Sequence, residues 1–537
     1  MEGFKLMFFV ASVLLLATRV LAREFLLDVP NGSIQWKPPR SQNGSGIIKF
    51  RVQMELEAKK WVAVGFSPRG DMFDGGDFCV LWTDPNGLFE LNDAYVEDGS
   101  LLTDEPQDCF LKNVNARRNR IEFEFWRKPV TCDDEHDYRI DAGTTHFHVV
   151  WGPGPLIDIA GVSLNQSEGN ALSRVQLLKP EAMLSTLPRS PDVHHFDVLV
   201  DGVHIPAQET TYWCTVVRLP EVFLKKHHIL EFEPKIDKAN KDIVHHMEVF
   251  HCESDSDIPM YSGPCTDPKK PLLLETCKRV MAAWAMSALP FIYPLEAGFP
   301  IGGKGFNPYV RLEVHYNNPQ LEDGHVDNSG MRLWVTQKLR PHDAGIMELG
   351  LEYTPKMAIP PSMDMFSLSG DCISECTTLG LPGRGIHVFG SQLHTHLTGI
   401  RVVTRHIRDG TELPPMNYDD HYSTHFQEIR ILEPPVHVLP VRHTTIINSS
   451  TAEEWEDQAT SPDLGVIENY HSIEWDPLRS KGLFDYYLQS PLSMQCNQSN
   501  GDRFPGNWEG MPQTDVRFPL PQPEYQCKEN GVKGMKM

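Results

Sequence analysis

Hydrophobic and polar residues alternate in short runs along most of this chain, the pattern of half-buried strands. Between residues 35 and 152 the runs IIKFRVQMEL, WVAVGF, FCVLWTD, IEFEFW and THFHVVWG are separated by turn clusters such as SPRGD and DPNG. Residues 153–195, from GPGPLIDIAG to SPDVHH, are rich in glycine and proline at both ends and read as a linker. A second β unit, residues 196–340, follows with ETTYWCTVVRL, HHILEFEP, VHHMEVFHC and YVRLEVHYNN as strands. The segment EAGFPIGG reads as a turn, and GIHVFGSQLHTHLTGIRVVTRHI supplies the clearest strands of a third unit, residues 341–527. The expectation is an all-β chain of antiparallel sandwiches.

Composition changes this picture little, whereas charge and the N-terminus narrow it. The 537 residues suit about three domains of ~150 each. Acidic residues outnumber basic ones by 23, and no basic block stands out, which argues against a nucleic-acid partner. Residues 1–22 combine Lys5, an apolar run and Val20-Leu21-Ala22 ahead of Arg23, the pattern of a cleaved signal peptide. Arg19 interrupts that region, so an uncleaved signal anchor is the alternative. No later run reaches the ~18 apolar residues of a membrane span. Sequons at Asn31, Asn43, Asn165, Asn448 and Asn497 fit a glycoprotein of the secretory pathway lumen or the extracellular space. In that compartment the eleven cysteines, none in a CxxC pair, read as disulfides, and the odd count leaves at least one thiol over.

The histidines carry the candidate chemistry. His394 and His396 in QLHTHLTG would share one face of a strand, about 7 Å apart, a spacing that suits two ligands of one metal ion. His245 and His246 are adjacent, and a regular strand would point them apart. Shared ligation there needs a twist, a bulge or different ring nitrogens. His315 could complete that set from a neighbouring strand. Surface or hydrogen-bonded core histidines give the same spacings, and His146 and His148 in THFHVV repeat the HxH pattern.

Longer context separates these readings. TYWC, VHHMEVFHC, MAAWA, RLEVHYNNP, MELGLEYTPKMAIPP, SQLHTHLTG and HYSTHFQEIRIL, in that order, resemble the copper type II, ascorbate-dependent monooxygenases of the dopamine β-hydroxylase-like kind. The first unit is similar to the DOMON domain that precedes the catalytic core in such proteins. The resemblance implies two linked antiparallel β-sandwiches with one copper ion in each. By position, His245, His246 and His315 would ligate the electron-transfer copper, and His394 and His396 the copper where O2 is activated. Tyr212 and His394 match positions treated as active-site residues. The implied reaction hydroxylates an aliphatic or benzylic C–H of a small, arylalkylamine-like substrate, with O2 as oxidant and ascorbate as electron donor. The implied disulfides are Cys214–Cys265, Cys252–Cys277, Cys376–Cys496 and Cys132–Cys527, with Cys79 and Cys109 available to pair.

One segment departs from the family. After HVLP, residues 437–440, the family continues with Gly-Asp and then a Cys-bracketed segment with Glu-Met-Cys, whose Met is the third ligand of the second copper. Here VRHTTIINSSTAEEWEDQATSPDLG follows, and the likeness resumes near YHSIEWDPL. A family segment is therefore missing around residues 441–470, which leaves the last sandwich incomplete and Cys372 without its family partner. Met494 matches a non-ligand methionine. Two alternatives to an active enzyme stand: a relative that binds copper only at the first site, and a secreted protein whose DOMON unit binds a ligand or haem through Met72 and His146 or His148.

Overall fold

The computed structural model describes residues 25–39, 46–70, 73–178, 190–286, 288–351, 359–361, 363, 365–395, 398–440, 465–512 and 514–521. The chain divides into two compact units, Met1–Pro180 and Glu181–Met537.

In the first unit two antiparallel sheets face each other. One has the strand order Phe25–Val29, Gly32–Lys37, Ile48–Met54, Arg120–Arg127, Phe110–Arg117. The other runs Gly169–Val175, Thr145–Gly152, Trp61–Ser67, Asp77–Thr83, Phe89–Glu97, Ser100–Thr103. Alternation in Ile48–Met54 and Arg120–Arg127 sends Phe50 and Phe125 inward, stacked at 4.9 Å, and Phe50 meets Phe66 and Phe147 of the second sheet at ring separations of 5.5 and 6.1 Å. Trp61–Ser67, Asp77–Thr83 and Thr145–Gly152 are buried at every position, so the second sheet must be covered on both faces. Leu156, Ile159, Val162 and Leu164 pack against its outer side. The stretch 153–195 is therefore not a plain linker: its first part is a lid on this sheet, and Gly169–Val175 adds an edge strand. Arg127 is buried in an ion pair with Asp77, and Asp93 and Asp137 lie close enough to feel both charges.

The second unit holds a larger sandwich. One sheet has the order Val193–Leu199, Gly330–Thr336, His227–Lys235, Ala297–Ile301, His342–Asp343. The other is Ser262–Pro264, Thr210–Arg218, Tyr309–Asn317, Val244–Cys252, Cys277–Ala285. Met247, Val249, Leu312 and Val314 on one sheet and Ile229, Leu333 and Phe299 on the other close its core. The segment EAGFPIGG is not a turn: Ala297–Ile301 pairs antiparallel with His227–Ile229 and parallel with His342–Asp343. Phe299 and Ile301 are buried there, and only a strand places both on the core side.

Beyond Ala344 the β structure thins. Ile386–Gln392 pairs with Ile429–Val438, and Val402–Arg408 with Thr411–Asp419, as separate two-stranded sheets. No residue of Ile386–Gln392 is fully buried. Two helices, Val466–Ser472 and Pro477–Gln489, fill part of the sequence after the departure point. The second has a local cause: Asp476 caps it by accepting from the Arg479 N–H, and Pro477 takes the first turn, where a missing N–H costs nothing.

Candidate metal centre

Strand Val244–Cys252 lies between Tyr309–Asn317 and Cys277–Ala285, and its register slips at one point. Val244 faces Tyr316 and His246 faces His315, so His245 is the extra residue of a β-bulge. Two consecutive side chains that a regular strand would send to opposite faces are thereby turned together. The result is three imidazoles whose nitrogens lie within 4.8 Å of one another. His246 Nδ1 is 3.2 Å from His245 Nδ1 and 3.2 Å from His315 Nδ1. One ring nitrogen offers a single in-plane proton or lone pair, so it cannot bond well to both neighbours at once. A cation among the three nitrogens resolves the conflict, and 3.2 Å is well inside the span of two ~2.0–2.1 Å metal–imidazole bonds. Burial, and next the charge of His425, lower the pKa of His245, which keeps it in the neutral form that donates to a metal. Tyr212, opposite His315 on Thr210–Arg218, stacks on its ring at 4.5 Å with the planes 10° apart and so fixes its orientation.

His394 is not on a strand. Ile386–Gln392 ends where its partner ends, with Gln392 opposite Ile429, and the residues that follow have no ladder to join. The strand expected to carry His394 and His396 thus stops short of His394, and His396 lies outside the described residues. His394 is oriented by another device. Gln427 Nε2 donates to the Thr424 carbonyl at 2.7 Å, which turns Gln427 Oε1 toward His394 Nδ1 at 2.6 Å. That oxygen can only accept, so Nδ1 carries the proton and Nε2 is left as the donor nitrogen. The Tyr422 hydroxyl accepts from the Thr395 N–H at 3.0 Å in the same loop. His425, on that loop as well, brings its ring to 5.8 Å from the His245 ring. One short segment thus touches both histidine sets. Beside it Phe232, Trp284, Phe291 and Ile429, with Gln392 and Gln427, line an apolar recess. Gln427, Tyr422 and His425 all belong to HYSTHFQEIRIL, a motif whose own histidines and glutamine carry no spacing signal that singles them out.

Among the described residues His394 belongs to no cluster of three metal-type ligands. Met494 is buried with Ile373, Leu492 and Trp508, and its N–H donates to the Trp508 carbonyl. Met511 packs against the same cluster, and Met416 sits in strand Thr411–Asp419.

Disulfides join Cys79 to Cys109, Cys214 to Cys265, Cys252 to Cys277 and Cys376 to Cys496. Cys132 is also disulfide-bonded, and Cys527 lies outside the described residues. Cys372 is a free thiol whose pKa burial, and then the charge of Asp371, push up to about 11. Asn31, Asn165 and Asn497 are exposed, whereas Asn43 and Asn448 fall outside the described residues. Of the haem candidates, Met72 lies outside the described residues. His146 and His148 are buried; His148 Nε2 is 3.0 Å from Ser67 Oγ, with Phe73 and Phe78 against its ring.

Comparison with known proteins gives these observations a context. Residues 196–323 match the family description "Copper type II ascorbate-dependent monooxygenase, N-terminal domain", residues 342–456 its C-terminal domain, and residues 41–154 the DOMON domain. Dopamine beta-hydroxylase of Homo sapiens is 38% identical over 558 positions, covering 93% of this chain and 88% of that protein. That alignment has more positions than this chain has residues, so the relative carries segments that are absent here. Tyramine beta-hydroxylase of Caenorhabditis briggsae is 38% identical over 76% of this chain and 68% of its own length. DBH-like monooxygenase protein 1 of Homo sapiens is 35% identical over 74% and 64%. Among solved structures, the cytochrome b domain of pyranose dehydrogenase from Coprinopsis cinerea aligns with 29% of this chain and 81% of that chain at a TM-score of 0.24 and 13% identity, too slight a likeness to bear on ligand or fold. Full-length similarity above these levels of identity, with both catalytic-domain matches in order, makes this chain a member of the copper type II ascorbate-dependent monooxygenase family, with a DOMON domain ahead of its two copper domains.

Proposed function

We propose that this protein is a secretory-pathway monooxygenase that hydroxylates an aliphatic or benzylic C–H of a small arylalkylamine-like substrate, with its first copper site complete and its second impaired. Copper at the two sites would supply one-electron reduction by ascorbate and activation of O2. The observation that carries the reading is the loop Tyr422–Gln427, which orients His394 through Gln427 and brings His425 against His245, so that both histidine sets serve one reaction centre. His245, His246 and His315 would hold the first ion, with Tyr212 positioning His315. His394, through Nε2, and His396 would hold the second. The nine disulfide-bonded cysteines among the described residues and the exposed sequons support a lumenal or extracellular setting. No helix among the described residues is long and apolar enough to cross a membrane.

A second reading, copper only at the first site, is favoured by the packing of Met494. A reduced copper ion prefers a soft donor, and Met494 and Met511 are committed to the small core of the last domain. The test is coupled turnover with labelled O2 and a phenylethylamine-type substrate, product being read by mass spectrometry. The expected result is slow ascorbate oxidation and little labelled product. Inserting the family's Gly-Asp to Glu-Met-Cys segment after Pro440 should raise both copper content and product. Robust incorporation by the unaltered chain would mean that the second site is complete without that segment.

A further inference from the structure

We propose that Asp327 is a positioning residue for the first metal centre, holding in register the bulge that turns His245 and His246 together. This rests on the copper reading of that cluster and adds a group that acts through neighbours of its ligands. A bulge interrupts the ladder locally, so the ladder alone does not fix where the slip falls. If Val244–Cys252 slid by one residue, His245 would come to lie opposite His315, and every later side chain would change face. Val244 must therefore be kept opposite Tyr316, its partner on the near side of the slip.

Asp327 touches both sides of that pairing. Tyr316 follows His315 on Tyr309–Asn317, so its side chain turns to the core face, where it is fully buried. Its hydroxyl donates to Asp327 Oδ2 at 2.8 Å. Asp327 Oδ1 accepts from Asn240 Nδ2 at 2.8 Å and from Ser329 Oγ at 2.6 Å. Asn240 belongs to the turn that enters Val244–Cys252. Its carbonyl accepts from the Ile243 N–H at 3.0 Å, and the Ile243 carbonyl accepts from the Asn317 N–H at 2.8 Å. Ser329 Oγ holds the start of the same turn, accepting from the Asp237 N–H at 2.9 Å. One carboxylate thus grips Tyr316 on one histidine-bearing strand and, through Asn240 and Ser329, the entry to the other. Asp327, Asn240 and Ser329 are fully buried, so water cannot replace a bond that is lost.

The experiment loads Cu(II) into the full chain carrying His394→Ala, so that only the first cluster reports. This parent is compared with Tyr316→Phe, which keeps the ring and removes the hydroxyl, and with Asp327→Asn. Ile229→Val, in the facing sheet of the same core, is the control for a general loss of packing. Tyr316→Phe and Asp327→Asn should bind Cu(II) about tenfold more weakly, with altered g and hyperfine values in the paramagnetic resonance spectrum. In the metal-free chains, their amides at residues 244–247 should exchange with solvent roughly tenfold faster than in the parent. Ile229→Val should melt at a lower temperature yet keep the parent's spectrum and affinity. If Asp327→Asn does not fold, Tyr316→Phe decides alone. A parent-like spectrum and affinity in Tyr316→Phe would overturn the inference, as would an equal change in Ile229→Val. A parent that takes up no copper would remove the copper reading itself, and this inference with it.

Discussion

Acidification should stabilise the first unit, and Asp93 is the residue through which that can be measured. Asp93 is 1% exposed, and burial together with the charge of Asp77 pushes its pKa up to about 8. Asp137 is raised to about 7 by burial and the same neighbour. In the unfolded chain an Asp titrates near ~3.9. The folded state therefore holds a proton that the unfolded state has released, and the stability it contributes is lost as pH rises through the folded pKa. From pH 7.5 down to 5.5 this is on the order of 2 kcal/mol for Asp93 alone, at 1.36 kcal/mol per unit of pH and proton. Asp77, Asp93 and Asp137 face one guanidinium and share protons, so ~1–2 kcal/mol is the range to expect. That is roughly 3–8 °C in the melting of a domain of this size. His148 works the other way: burial lowers its pKa to about 4, and charging it costs on the order of 1 kcal/mol over the same interval. Comparing wild type with Asp93→Asn cancels that opposing contribution. Asn keeps an acceptor for the Asp108 N–H, which bonds Asp93 at 2.7 Å, so packing is preserved. Melting followed by calorimetry at pH 5.5, 6.5 and 7.5 should show a steeper gain on acidification in the wild type. Parallel slopes in the two chains would refute the assignment of a shared proton to this cluster.

Three further outcomes follow from the geometry. The purified chain should carry about one copper ion by elemental analysis; His315→Ala should remove most of it, while Tyr212→Leu, which loses a ring stack of ~0.5–1.5 kcal/mol, should weaken binding roughly two- to tenfold. Unchanged copper content in His315→Ala would sink the first site. Gln427→Leu removes the acceptor that sets the His394 tautomer, and copper affinity at the second site, measured by chelator competition, should fall about 10–100-fold; equal affinity would mean that His394 does not bind through Nε2. Cys372, raised to about 11, should alkylate roughly a hundredfold more slowly at pH 8 than an ordinary thiol while the protein is folded. After denaturation without reductant it should label fully; peptide mapping that finds it bridged to another cysteine would contradict the free thiol.

Strands such as Ile48–Met54, Arg120–Arg127 and Tyr309–Asn317 could be read from alternation, because a period of two is a local property and a strand with one buried face displays it. The ordered histidine and cysteine motifs carried the family and the candidate ligands for the same reason: they are runs of residue types at short spacing. What alternation cannot report is which face is covered and by what. Trp61–Ser67 and Asp77–Thr83 are apolar on both faces, and only the fold shows that Leu156, Ile159 and Val162 supply the missing cover from a stretch that reads as linker. The EAGFPIGG segment misleads similarly, since its glycines and proline signal a turn while its pairing with His227–Ile229 makes it a strand. At the candidate site, adjacency of His245 and His246 left several geometries open. A one-residue slip against Tyr316 and His315, a property of the pairing of two strands, turns both rings inward. The approach of His425 to His245, and of Gln427 to His394, belongs to tertiary structure entirely: these contacts close loops of tens to nearly two hundred residues, and no pattern within either segment encodes the distance between them.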